Sequence, residues 1–94
     1  MKNGAVLVNT ARGALIDEAA LVNALKDGRL SAAALDVYET EPVAPENPLF
    51  ELCNTVLAPH VSALTIETNH EAGMTCARSI LQVFRGERPV YPLW

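Results

Sequence analysis

Apolar residues in this 94-residue chain fall into two patterns: short unbroken runs, and longer stretches at helical spacing. Gly4–Val8 is a run with β-branched valines and no polar alternation. That predicts a strand of the kind buried on both faces of a parallel sheet. Asp17 is placed to cap a helix reaching about Asp27, with Glu18 in the first turn, where an acid suits the helix dipole. Ala20, Leu21, Ala24 and Leu25 form its apolar stripe, and Gly28 ends it. Arg29-Leu30-Ser31 feeds a second apolar run, Ala32–Leu35. Strand, helix and strand in this order are a βαβ unit.

Glu39–Asn54 is a polar loop holding Pro42, Pro45 and Pro48, with a helical turn expected around Pro48–Leu52. Thr55–Ala58 reads as a third strand, stopped by Pro59. From about Thr65 to Arg85 the spacing is helical. Gly73, Ala77, Ile80, Leu81 and Phe84 recur on one face, and Met74 and Val83 widen it. Thr68 with Glu71 fits a capping box, and Gly86 ends the helix. The tail Glu87–Trp94 carries Tyr91 and Trp94, suited to packing on a neighbour. The expected fold is α/β: three parallel strands, one crossover helix and one long C-terminal helix.

Composition narrows the function classes. A net charge of −4 with scattered Lys and Arg argues against a nucleic-acid partner, which requires a basic face. No apolar stretch approaches the roughly 20 residues that span a bilayer, and the N-terminus lacks a signal-peptide pattern. Cys53 and Cys76 are too few and too far apart for a metal motif. No metal site is expected. Free buried thiols and a cytoplasmic setting are.

Each apolar run ends in polar or titratable residues: Asn9-Thr10-Ala11-Arg12-Gly13, then Asp36-Val37-Tyr38-Glu39-Thr40-Glu41-Pro42, then Pro59-His60. If the runs are parallel strands, these clusters share the carboxyl edge of one sheet, where open α/β sheets bind ligands. Arg12 has the paired donors that match a carboxylate or phosphate, or it is a surface arginine. Asp36 accepts hydrogen bonds either from a ligand amide or from nearby backbone amides. Glu41 is either a site carboxylate or a solvated loop acid. An imidazole is the side chain best suited to acid–base chemistry near neutral pH, so His60 is either such a group or a histidine bonded within a loop. His70 reads as a helix-surface residue.

Val-Asn-Thr-Ala-Arg-Gly, Leu-Asp-Val-Tyr-Glu-Thr-Glu-Pro and Ala-Pro-His-Val stand in the order seen in the D-isomer-specific 2-hydroxyacid dehydrogenases, and the chain resembles that family over nearly its whole length. The resemblance implies that Arg12 binds the substrate carboxylate and polarises its carbonyl. It implies that Glu41 hydrogen-bonds the catalytic histidine, and that His60 is the acid protonating the keto oxygen as hydride arrives. Asp36 matches the residue contacting the nicotinamide carboxamide, and Thr10 and Ala11 match the segment beside the nicotinamide. Asn9, Arg12, His60 and Ser62 complete the cofactor-side set. The physical reasoning agrees: hydride delivery to a ketone develops negative charge on oxygen, and Arg12 with protonated His60 would stabilise it. A carboxylate beside an imidazole favours its charged form.

The resemblance covers only the last part of the family pattern. The Gly-x-Gly-x-x-Gly turn and the acid that holds the ribose are absent, as is the substrate domain. Met1-Lys2 falls where full members run from a helix into a strand. The expectation is therefore the C-terminal part of a Rossmann-type NAD(P)-binding domain at 1–64, with residues 65–94 as helix and tail returning to the substrate domain. NAD or NADP is the implied cofactor, and a 2-keto acid or D-2-hydroxy acid the implied substrate. A homo-oligomer is expected, and turnover by the 94-residue chain alone is not. The rival expectations are a non-catalytic remnant acting through self-association or pairing with another chain, and a nucleotide-sensing relative.

Overall fold

The structure, a computed structural model, describes residues 1–92; Leu93 and Trp94, including the expected packing role of Trp94, lie outside the described residues. The chain forms two compact units, one from Met1 to Ser62 and the second beginning at Ala63. The first holds three strands, β1 (Ala5–Asn9), β2 (Leu30–Leu35) and β3 (Thr55–Leu57), and helix α1 (Glu18–Lys26). Short 3-10 turns occupy Gly13–Leu15 and Pro48–Glu51. The strands form one parallel sheet in the order β1-β2-β3.

Local chemistry explains each element. The Asp17 carboxylate accepts from the Ala20 amide at 2.9 Å, capping α1, and Gly28 adopts φ +70° just beyond its end. The Asn47 side chain likewise accepts from the Leu49 amide, starting the turn that drives Leu49 into the core. The expected apolar stripe of α1 is corrected in part. Leu21, Val22 and Leu25 are buried, whereas Ala20 is exposed, because the helix lies on the sheet along the Leu21–Val22–Leu25 side.

The core gathers Leu21, Val22, Leu25, Leu30, Ala33, Leu35, Tyr38 and Leu49 on one side of the sheet. The other side is open. Val6 pairs in register with Ala32, and Val8 with Ala34, which pairs in turn with Val56. Register partners in a parallel sheet share a face. Val6, Val8 and Val56 are 59%, 66% and 71% exposed. The expectation of strands buried on both faces therefore fails for this chain. An unbroken apolar run specifies a strand with two apolar faces, but covering them takes elements on both sides, and α1 with the 48–51 turn covers one.

In the second unit, α2 runs Ile66–Phe84. Its cap is Thr65, whose hydroxyl accepts from the Thr68 amide at 3.0 Å; Thr68 supplies the donor, not the cap. Gly86 follows its end at φ +73°. Among the described residues no helix is long and apolar enough to cross a membrane, and no cluster of His, Cys, Asp or Glu is placed to hold a metal ion. Both cysteines are free, but Cys53 and Cys76 are exposed, not buried as expected: one follows a surface turn, and the other lies on a helix none of whose residues is buried.

Candidate active site

Asn9, Asp36 and Ala58 stand at the carboxyl ends of β1, β2 and β3, so the three polar clusters emerge at one sheet edge. At the end of β1, buried Asn9 builds a tight turn. Its side-chain oxygen accepts from the Ala11 amide at 3.1 Å, and its side-chain nitrogen donates to the Arg12 carbonyl at 2.9 Å. Asn9 thus shapes the segment that presents Thr10, Ala11 and Arg12. The Arg12 side chain is exposed and donates to the Ala11 carbonyl at 2.6 Å. Among the described residues no hydrogen bond or ion pair joins it to Glu41 or His60. The next residue explains its placement. A Cβ at Gly13 would lie 1.8 Å from the Tyr38 carbonyl oxygen, so only glycine lets this turn pass against the 38–39 peptide.

Asp36 directly follows β2 and is buried. Its two carboxylate oxygens accept from the Val61 amide at 2.8 Å and the Ser62 amide at 2.9 Å, which latches the segment after His60 onto the sheet. Its carboxyl is held below the ordinary aspartate value. The Ser62 side chain contributes most, with the two amides and the positive potential of His60 acting in the same sense against burial.

Glu41 and His60, nineteen positions apart, meet at 2.7 Å through Oε2 and Nδ1. The other Glu41 oxygen accepts from the Tyr38 amide at 3.0 Å. The His60 hydrogen bond, followed by that amide, lowers the Glu41 carboxyl below its usual range, so it is ionised at neutral pH. With Nδ1 directed to a carboxylate, Nε2 is the nitrogen left to exchange a proton with a ligand. His60 itself has φ +57°, a left-handed backbone sparsely used by non-glycine residues and enriched at functional sites.

Two clefts flank β3. Tyr38, Glu41, Val43, Phe50, Leu57 and His60 line one of about 370 Å³. Val8, Ala34, Val56, Ala58 and Val61, with Thr10, Asp36 and Ser62, line another of about 230 Å³ on the open face. Leu57 and Val56 alternate along the strand, so the clefts lie on opposite faces.

Sequence reasoning overlooked three supports. Gly13 provides the close approach. Glu18, read as a helix-dipole acid, also accepts from the Glu39 amide at 3.2 Å and the Asn47 side chain at 2.5 Å, clamping the loop that carries Glu41. Tyr38 is buried, with its hydroxyl on the Ala58 carbonyl at 2.9 Å. An acid in the first turn of a helix facing a long polar loop was the available signal for Glu18.

Comparison with known proteins decides the lineage. A sequence profile described as D-isomer specific 2-hydroxyacid dehydrogenase, NAD binding domain, matches residues 1–62. The chain belongs to the D-isomer specific 2-hydroxyacid dehydrogenase family. It is 50% identical over 86 residues to a D-3-phosphoglycerate dehydrogenase of Archaeoglobus fulgidus, covering 92% of this chain and 16% of that protein. It is 48% identical to a glyoxylate reductase of Thermofilum pendens, covering 95% of this chain and 26% of that one. The NADPH-dependent glyoxylate/hydroxypyruvate reductase of Sinorhizobium meliloti, solved in complex with NADP and malonate, superposes with a TM-score of 0.82 at 35% identity, over 98% of this chain and 28% of its own. The chain thus spans between a sixth and just over a quarter of these 2-hydroxyacid dehydrogenase relatives. Its three parallel strands and crossover helix are the α/β architecture of the family's NAD-binding domain.

Proposed function

We propose that this chain provides the acid–base pair and the nicotinamide side of the site in an NAD(P)-dependent oxidoreductase that interconverts 2-keto acids and D-2-hydroxy acids. The observation that carries this reading is the Glu41–His60 pair at 2.7 Å at the carboxyl edge of the sheet, with the cleft walled by Thr10, Asp36 and Ser62 across β3 on the other face. The nicotinamide, when bound, supplies or accepts the hydride.

The chain's own residues do the rest. Arg12, exposed at the end of β1, binds the carboxylate of the substrate with its paired donors and draws electron density from the neighbouring carbonyl. His60 gives the proton on Nε2 to the keto oxygen as negative charge builds there; in the reverse direction Nε2 takes it from the hydroxyl. Glu41 orients the ring through Nδ1 and balances its positive charge. Thr10, Ala11, Asp36 and Ser62 hold the nicotinamide side, with Asn9 shaping their approach. The glyoxylate, hydroxypyruvate and 3-phosphoglycerate named among the relatives are the substrates to try first.

The isolated chain is proposed to bind NAD(P) weakly and to turn over nothing measurable, because the glycine-rich pyrophosphate turn is absent from its sequence. The test is a chimera in which this chain replaces the matching segment of the Thermofilum pendens glyoxylate reductase. Hydride transfer to glyoxylate is expected to persist, and His60→Gln in the chimera is expected to lower kcat by about 10²–10⁴-fold. Full turnover by the His60→Gln chimera would overturn the acid–base assignment.

A second reading, self-association or pairing with another chain, is favoured by the exposed valines of the open sheet face and by the exposed Ile80, Leu81 and Phe84 of α2. Association of the purified chain at micromolar concentration is the expected result in light scattering, and a monodisperse monomer would remove this reading. Both thiols being free suits a reducing, cytoplasmic setting.

A further inference from the structure

Tyr38 bonds Glu41 through its backbone amide and the chain two residues before His60 through its hydroxyl. Its backbone amide donates to Glu41 Oε1 at 3.0 Å, leaving Oε2 for His60. Its hydroxyl lies 2.9 Å from the Ala58 carbonyl and 3.4 Å from the Leu35 carbonyl. One O–H carries one proton, and the shorter contact takes it. Ala58 stands two residues before His60, and its own amide donates to the Leu35 carbonyl at 2.9 Å. The ring of Tyr38 is buried in the core cluster, so the hydroxyl is delivered by a side chain that has little room to move.

The segment from Ala58 to Ser62 is therefore held at both ends. The Tyr38 hydroxyl grips it before the histidine, and the Asp36 carboxylate grips the Val61 and Ser62 amides after it. Between the two grips lies the left-handed backbone of His60, a conformation that persists where its surroundings over-determine it. Losing one grip lets φ relax and swings the imidazole off Glu41. Burial pushes the Tyr38 phenol above its ordinary value, which keeps the donor proton in place across the neutral range.

We propose that Tyr38 is a positioning residue for the acid–base pair, aligning Glu41 through its amide and His60 through its hydroxyl on the Ala58 carbonyl. The proposal rests on the reading of Glu41 and His60 as that pair.

The test uses Tyr38→Phe, which keeps the ring and the backbone amide and deletes only the hydroxyl. In the isotopically labelled 94-residue chain, the His60 Nδ1 nitrogen and proton resonances report the Glu41 hydrogen bond directly. Tyr38→Phe is expected to move these resonances toward their positions in Glu41→Gln and to speed exchange of the Nδ1 proton. In the chimera it is expected to lower kcat about tenfold with KM changed less than twofold. A Tyr38→Phe chain with a lower Tm but wild-type His60 resonances would overturn the proposal and leave Tyr38 as a core residue only. If Tyr38→Phe does not fold, fluorotyrosine incorporated into a Tyr91→Phe chain places the probe at Tyr38 alone and changes its donor strength. His60 resonances unmoved there also overturn it. Shifted resonances in a chain whose chimera shows no His60-dependent turnover would keep Tyr38 as the aligner of the pair while sinking the catalytic reading.

Discussion

The two faces of the sheet are built from the same strands in the same register, yet one is finished and the other is not. On the closed face Ala33 and Leu35 meet Leu21, Leu25 and Leu49, all buried. On the open face Val6, Val8 and Val56 are more than half exposed, with Ala32 and Ala34 between them. Side-chain alternation gives both faces apolar character, so the difference lies in what covers each one. The division also runs through the site. The His60 cleft opens beside Leu57, and the cleft walled by Thr10, Asp36 and Ser62 lies over Val56. The buried core lies on one face together with the His60 cleft, while the second cleft and the bare valines lie on the other.

Core truncation should separate the two faces most sharply. Leu49 is 0% exposed. Leu49→Ala is expected to cost about 2–5 kcal/mol, a large share of what a domain this small holds, and urea melts would measure it. On the open face Val56→Ala is expected to change stability by no more than about 0.5 kcal/mol while weakening self-association, read by light scattering. Equal losses at the two positions would mean that the open face is covered in solution.

Acid is the next lever, because it acts on the edge where the two faces meet. Asp36 and Glu41 both have carboxyls lowered in the folded chain. A lowered folded value means that the unfolded chain binds protons first as pH falls. The stability these groups lend is therefore full above their ordinary values, about 3.9 and 4.3, and is lost as pH drops through the lowered folded ones. Tm is expected to fall across that window. Asp36→Asn should flatten the fall and speed hydrogen exchange at the Val61 and Ser62 amides, the donors it holds. An unchanged acid limb in Asp36→Asn would remove Asp36 as the latch.

How far the sequence could be read depended on distance along the chain. All three strands, both helices and the turn near Pro48 were legible to within a few residues, because caps and periodicity are local signals. Asp17 as a cap and Gly28 as a stop are of this kind. The motif residues Arg12, Glu41 and His60 were legible by their order, and the parallel-strand reading put them at one edge. The family resemblance also paired Glu41 with His60, and the two meet at 2.7 Å, but the contacts that support the pair were not legible. The Glu18 clamp spans 21 and 29 positions and the Tyr38–Ala58 bond 20, and nothing in local spacing encodes them.

The sequence by itself determined an α/β chain with three apolar strands and two capped helices, and the edge where its polar residues gather. The tertiary structure alone decided that α1 and Leu49 close one face and leave the other bare. It alone fixed Nδ1 as the His60 atom that meets Glu41, and turned Asp36 toward the Val61 and Ser62 amides. The physical reason is that hydrophobic period and capping act within a few residues. Coverage and side-chain pairing are set by strand register and loop path, which bring together groups some twenty to thirty positions apart.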